Sequence, residues 1–226
     1  MAEDLVQSIE QTLQEFRQKT EALAHELGEQ LSAVAAETAR LHGEATRDSG
    51  EQATATFAQS LADATRAIRA EDSVTGIATA LVEGTARFAG RSALFIHRGD
   101  QLLGFRVAGK ATAEQQEAFQ RLSIPINQAT ALGHAIDSIE ATVSDGGAGQ
   151  MSQQVSDLLG LGEADRVHLF PVALRDKVLA VLACDGGPRE DDVEPKEPPT
   201  PAIEILVALA EAWIEAVGTR RKQNAA

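Results

Sequence analysis

The stretch RVHLFPVALRDKVLAVLAC (Arg166–Cys184) holds two apolar runs, Arg166 to Leu174 and Lys177 to Cys184, parted by Arg175-Asp176. Runs rich in Val and Leu on either side of a polar pair predict two antiparallel strands joined by a tight turn. A second pair lies upstream, where Ser92 to His97 and Leu102 to Val107 flank the polar, glycine-containing Arg98-Gly99-Asp100-Gln101. Helical patterns precede, separate and follow these hairpins, so the expected class is α+β, a sheet covered by helices.

Working outward, Val74 to Phe88 carries Ile77, Leu81, Val82 and Ala86 at helical spacing and ends near Ala89-Gly90. Thr112 to Arg121 and Ala129 to Ser138 read as helices. Between them Ser123-Ile124-Pro125-Ile126 reads as a short edge strand, because Pro125 has no N–H to give a central ladder. Asp145-Gly146-Gly147-Ala148-Gly149 reads as a flexible loop and Met151 to Leu159 as one short helix. The acidic, Pro-rich segment 186–201 reads as mobile and too polar to pack. Ala202 to Thr219 closes the chain as a helix with Ile203, Leu206, Val207, Leu209, Ala210, Trp213, Ile214 and Val217 on its apolar face. The domain thus spans 72–220, with a short tail at 221–226.

Residues 1–71 read differently. Val6, Ile9, Leu13, Phe16, Thr20, Leu23, Leu27, Gln30, Val34, Glu37 and Leu41 form a heptad stripe without Pro. A seam this narrow needs a partner helix, either a second copy of the chain or a folded-back hairpin. His42-Gly43 and Asp48-Ser49-Gly50 predict a hinge or helix break, after which Phe57, Leu61, Ala64 and Ile68 resume a helical pattern toward Asp72-Ser73.

Composition narrows the function. Hydrophobic residues make up 43%, but aromatics only 4%, with no Tyr and one Trp, so Ala, Val, Leu and Ile must build the core. A net charge of −14 speaks against nucleic acid or an anionic membrane as partner. The basic cluster Arg220-Arg221-Lys222 suits the negative end of a helix dipole. A single Cys, Cys184, rules out an intramolecular disulfide and fits a reducing cytoplasm. The sequence shows neither a signal peptide nor an apolar run long enough to span a bilayer.

A family resemblance rests on particular residues. Ser123-Ile124-Pro125-Ile126 followed by Ala131-Leu132-Gly133-His134-Ala135 resembles the short strand and Gly-containing helix of GAF domains. Leu159-Gly160-Leu161 leading into Val167-His168-Leu169-Phe170-Pro171-Val172 and Lys177-Val178-Leu179-Ala180-Val181-Leu182 is similar to that family's hairpin. Ala180 departs from the Gly often found there. The resemblance covers about 72–218. It implies a central antiparallel sheet of about six strands, first and last helices on one face, and shorter helices roofing a pocket on the other. It also implies that the first and last helices pair between protomers, in line with the upstream coiled coil.

Chemistry-bearing motifs are few. There is no phosphate loop and no His-Glu-x-x-His helix, and His25, His42, His97, His134 and His168 are not at ligand spacing, so neither cofactor nor metal is expected. GAF proteins that reduce methionine sulfoxide need paired thiols, which one Cys cannot supply. The position of Cys184 does not suit bilin attachment, and the Asn-Lys-Phe-Asp-Glu signature of cyclic-nucleotide binding is absent. Phe95, His97, Phe105, His134, His168, Phe170 and Arg175 are the candidate ligand-binding residues, with core packing as the competing role for each. The expected function is a non-enzymatic signalling module, a small-molecule sensor coupled to a dimerising helix. The alternative is a ligand-free adaptor that acts through protein contacts.

Overall fold

The computed structural model describes residues 47–187 and 197–224, so the heptad stripe from Val6 lies outside them. The chain divides into two units, residues 1–60 and 61–226. Helix α1, Arg47–Ala70, opens the described part. Its backbone is already helical at Asp48-Ser49-Gly50, where a break was expected.

Six strands follow, β1 (Arg91–Arg98), β2 (Gln101–Gly109), β3 (Ser123–Pro125), β4 (Thr142–Asp145), β5 (Arg166–Leu174) and β6 (Lys177–Asp185). They form one sheet in the order β3-β2-β1-β6-β5-β4, every neighbouring pair antiparallel. Both expected hairpins are present. In the second, Arg175 and Asp176 turn the chain with φ of 49° and 62°, the backbone a two-residue hairpin of right-handed twist needs. Pro125 sits on the edge strand β3. Pro171 lies beyond the last β4 pair, Thr142↔Leu169, so its missing N–H costs no rung there. Bulges between Leu94 and Phe95 opposite β2, and between Val172 and Ala173 opposite β6, bend the sheet.

Helix α2, Val74–Thr85, starts at Ser73, whose hydroxyl accepts the Gly76 N–H at 3.1 Å. It packs with α7, Thr200–Asn224, on one face of the sheet. Pro201 is accommodated in the first turn of α7, where no helical acceptor faces its nitrogen. The closing helix therefore starts earlier and ends later than expected. Gly84 lets α1 approach α2 closely, since a Cβ there would stand 3.0 Å from the Ala64 methyl. Trp213 of α7 donates its indole N–H to the Glu71 carbonyl at 2.8 Å, and Arg220 lies over its ring at 5.0 Å. This layer buries Ile77 and Leu81 from α2, and Ile203, Leu206, Ala210 and Ile214 from α7.

The opposite face carries the short helices α3 (Ala113–Gln120), α4 (Thr130–Ser138), α5 (Ala148–Met151) and α6 (Gln153–Leu159). α3 opens on a reciprocal box: Thr112 Oγ1 accepts the Gln115 N–H at 3.1 Å, and Gln115 Oε1 accepts the Thr112 N–H at 2.9 Å. Two corrections fall here. Met151 to Leu159 is not one helix, because Ser152 takes φ 76° and caps α6 through its hydroxyl and the Val155 N–H at 3.4 Å. The expected loop from Asp145 is narrower, since Asp145 ends β4 and Ala148 begins α5. The acidic segment is also held at both described ends: Pro198 is buried, Glu197 pairs with Arg166 at 3.5 Å, and Gly187 N–H donates to Asp185 at 2.6 Å.

Candidate functional site

Strand alternation divides the sheet into two chemical surfaces. Ala93, Phe95, Leu102 and Val107 from the first hairpin, with Val167, Leu169, Val181 and Ala183 from the second, face the short helices. There they meet Phe119, Leu132, Met151, Val155 and Leu159, all buried. Phe95 and Phe119 pack edge to face with ring centres 5.0 Å apart. β2 and α3 come so close that a Cβ on Gly104 would stand 1.9 Å from the Phe119 carbonyl oxygen. These side chains form the buried core between the sheet and the short helices, on the face where the resemblance places a roofed pocket.

One ion pair is built into this face. Arg91 donates from Nε to Asp185 at 3.0 Å and from Nη1 to the Leu159 carbonyl, while both ends of the pair are buried. Burial pushes the Asp185 carboxyl above its usual value, and the neighbouring Arg91 opposes the shift. The pair pins the C-terminal end of α6 to the ends of β1 and β6. Sequence reasoning singled out neither residue, since each reads as a polar strand terminus.

The face under α2 and α7 holds a row of polar side chains. Ser92, Cys184 and His168, continued by the apolar Val143, are successive partners across β1, β6, β5 and β4. Ser92 Oγ lies 3.4 Å from Cys184 Sγ, and Thr85 of α2 donates to the Leu81 carbonyl at 2.9 Å. Burial pushes the Cys184 thiol up to about 12, so it stays protonated and inert near neutral pH. His168 is 6% exposed, with Nδ1 at 3.2 Å from Thr200 Oγ1 and a buried Nε2 that has no partner. Burial lowers its pKa from the ordinary 6.5; Glu197 opposes this and Arg166 adds to it.

The seven candidate residues therefore do not converge. Phe95 belongs to the core under the short helices, and His97 shares its face, its Nδ1 3.0 Å from the Val178 carbonyl and its Nε2 2.8 Å from that of Gly99. Phe105 is the extra residue of the β2 bulge and is half-buried. His134 is exposed on α4. His168 and Phe170 point to the other face, under α7. Arg175 is exposed in its turn and pairs with Glu215 at 2.9 Å. The described surface does carry a cleft of about 410 Å³ between β4 (Val143, Ser144, Asp145) and the chain entering β5 (Glu163, Asp165, Arg166). Sequence reading missed it because it missed β4. Among the described residues no group of three His, Cys, Asp or Glu is set to hold a metal ion, and no helix is long and apolar enough to cross a membrane.

No protein-family model and no curated protein matches the sequence. Solved structures do resemble the chain. The GAF domain/HD domain protein from Geobacter sulfurreducens is 16% identical with a TM-score of 0.52, over 65% of this chain and 94% of that one. The GAF domain from a phosphoenolpyruvate-protein phosphotransferase of Coxiella burnetii is 14% identical with a TM-score of 0.52, over 74% and 96%. The fold is GAF-like. The fRMsr of Staphylococcus aureus, in its reduced form, is 15% identical with a TM-score of 0.50, over 70% and 94%. At such identities the likeness establishes fold alone, and the chemistry must be argued from the residues present.

Proposed function

We propose that the chain is a non-enzymatic regulatory module that works by presenting surfaces to other proteins, the adaptor reading of the GAF-like fold. The observation that carries this is the packing of Phe95, Phe119, Leu132 and Met151 into the space between sheet and short helices. Against thiol redox chemistry stands Cys184, the single cysteine, buried and held protonated. The same reading takes the chain to be a homodimer, through its N-terminal helix and the first and last helices of the domain. A structural neighbour, residues 122 to 287 of a methyl-accepting chemotaxis protein (TM-score 0.55, 12% identity), lends a signalling setting by analogy.

A sensor reading keeps a small-molecule ligand. A thermal-shift screen with nucleotides and metabolites separates the two. A ligand present at about a hundred times its Kd adds about 2.7 kcal/mol to the native state, or roughly 5 to 10 °C for a domain of this size. The adaptor reading predicts no shift of that order from any compound. One such shift would refute it in favour of a sensor.

A further inference from the structure

We infer that the outer edge of β4 is a docking strand for an extended basic segment of a partner protein, a step that rests on the adaptor reading. β4 is the last strand of its sheet, and among the described residues no strand pairs along its outer side. The backbone N–H and C=O groups on that side can therefore ladder with an incoming strand. Folded proteins commonly blunt such an edge by keeping it short, as the 4 residues of β4 do, or with Lys, Pro or an inward charge. Here the middle of the strand carries Val143, 49% exposed.

Ile139 is a second and independent sign. It ends α4 in the left-handed conformation, φ 57° and ψ 27°, a position where Gly or Asn fits without a clash and a β-branched side chain is strained. Burial does not offset that strain, because Ile139 is 42% exposed. With Val74, Ile139 and Val143 are the large hydrophobic side chains most open to solvent among the described residues. Ile139 precedes β4 by three residues and Val143 lies within it, so two of them sit on the segment that forms this edge, one against its backbone preference. Contact with another chain gives such a side chain the burial it lacks in this one.

Charge decides the occupant. The cleft beside the edge carries the carboxylates of Asp145 and Glu163, with Gln150, Asp165 and Arg166 completing its polar lining and Arg166 paired with Glu197 at 3.5 Å. Val143 and Asp145 lie on the same face of β4, two residues apart, so an added strand meets an apolar position and an acidic one in that order. A second copy pairing here edge to edge would set its own Asp145 against this acidic edge, and like charges oppose that pairing. A segment with an apolar residue flanked by Lys or Arg at every second position fits.

The probe is a blocked peptide, Lys-Thr-Val-Thr-Lys, whose sequence reads the same in both directions and so does not depend on strand polarity. It is titrated into the full chain while backbone amide exchange is followed by NMR. The expected result is saturable slowing of exchange confined to residues 142–145, weakened at least fivefold by 0.5 M salt and by Glu163→Gln. Ile139→Gly should weaken binding at least threefold while melting at or above the wild-type temperature, which separates lost contact from lost fold. No saturable slowing at β4, equal effects from Glu-Thr-Val-Thr-Glu, or undiminished binding by Ile139→Gly would each overturn the inference. None of these would disturb the adaptor reading, which falls only to a small-molecule ligand in the thermal screen.

Discussion

Arg91 and Asp185 neutralise each other inside the protein, and neither can be removed alone without leaving a buried charge or a broken network. Asp185→Ala is expected to cost about 3 to 5 kcal/mol in urea unfolding, because it strands the Arg91 guanidinium. The double change Arg91→Met with Asp185→Leu should cost clearly less. His168 gives a pH signature of known sign. Its folded pKa is lowered, so the unfolded chain binds the extra proton below about pH 6.5, and stability present above that value is lost as pH falls. The loss is at most about 1.4 kcal/mol per pH unit for one group. Asp185 and Glu211, both raised by burial, push the other way, their stabilisation lying on the acid side. Unfolding measured from pH 7.5 to 5.5 in wild type and His168→Gln isolates the histidine: the wild type should lose more stability on acidification, and parallel curves would refute the assignment.

Among the elements, α3 is short and has one buried side chain, Phe119, so its start matters. Thr112→Ala removes half of the reciprocal cap and should lower stability by about 1 kcal/mol, read from the urea midpoint. The elements legible in the sequence are those whose local pattern and tertiary role agree. The Arg166–Cys184 hairpin declared itself through two apolar runs and a polar turn, and Pro125 marked its own edge position. β4 stayed hidden because Thr142-Val143-Ser144-Asp145 is short and becomes a strand only by pairing with β5. The split at Ser152 was equally hidden, since it depends on a hydroxyl serving as a cap inside an apolar pattern. The candidate site was legible only in part. Alternation correctly grouped Phe95 with His97 and His168 with Phe170, yet it carries no information on which pair faces the short helices. That is a property of the sheet as a whole.

For the whole molecule, a sheet covered on one face by the short helices and on the other by α2 and α7 leaves its edges, turns and outer helix surfaces to meet partners. The low aromatic content is consistent with this, since Phe95, Phe119 and Phe170 are all buried. On the adaptor reading such a module is proposed to act by assembling, with the heptad stripe from Val6 to Leu41 as the proposed means. The most direct measurement is the mass of the full chain in solution by light scattering at about 100 µM and near-physiological salt. The account predicts twice the 23.9 kDa chain mass, and a particle that stays at 23.9 kDa would contradict it.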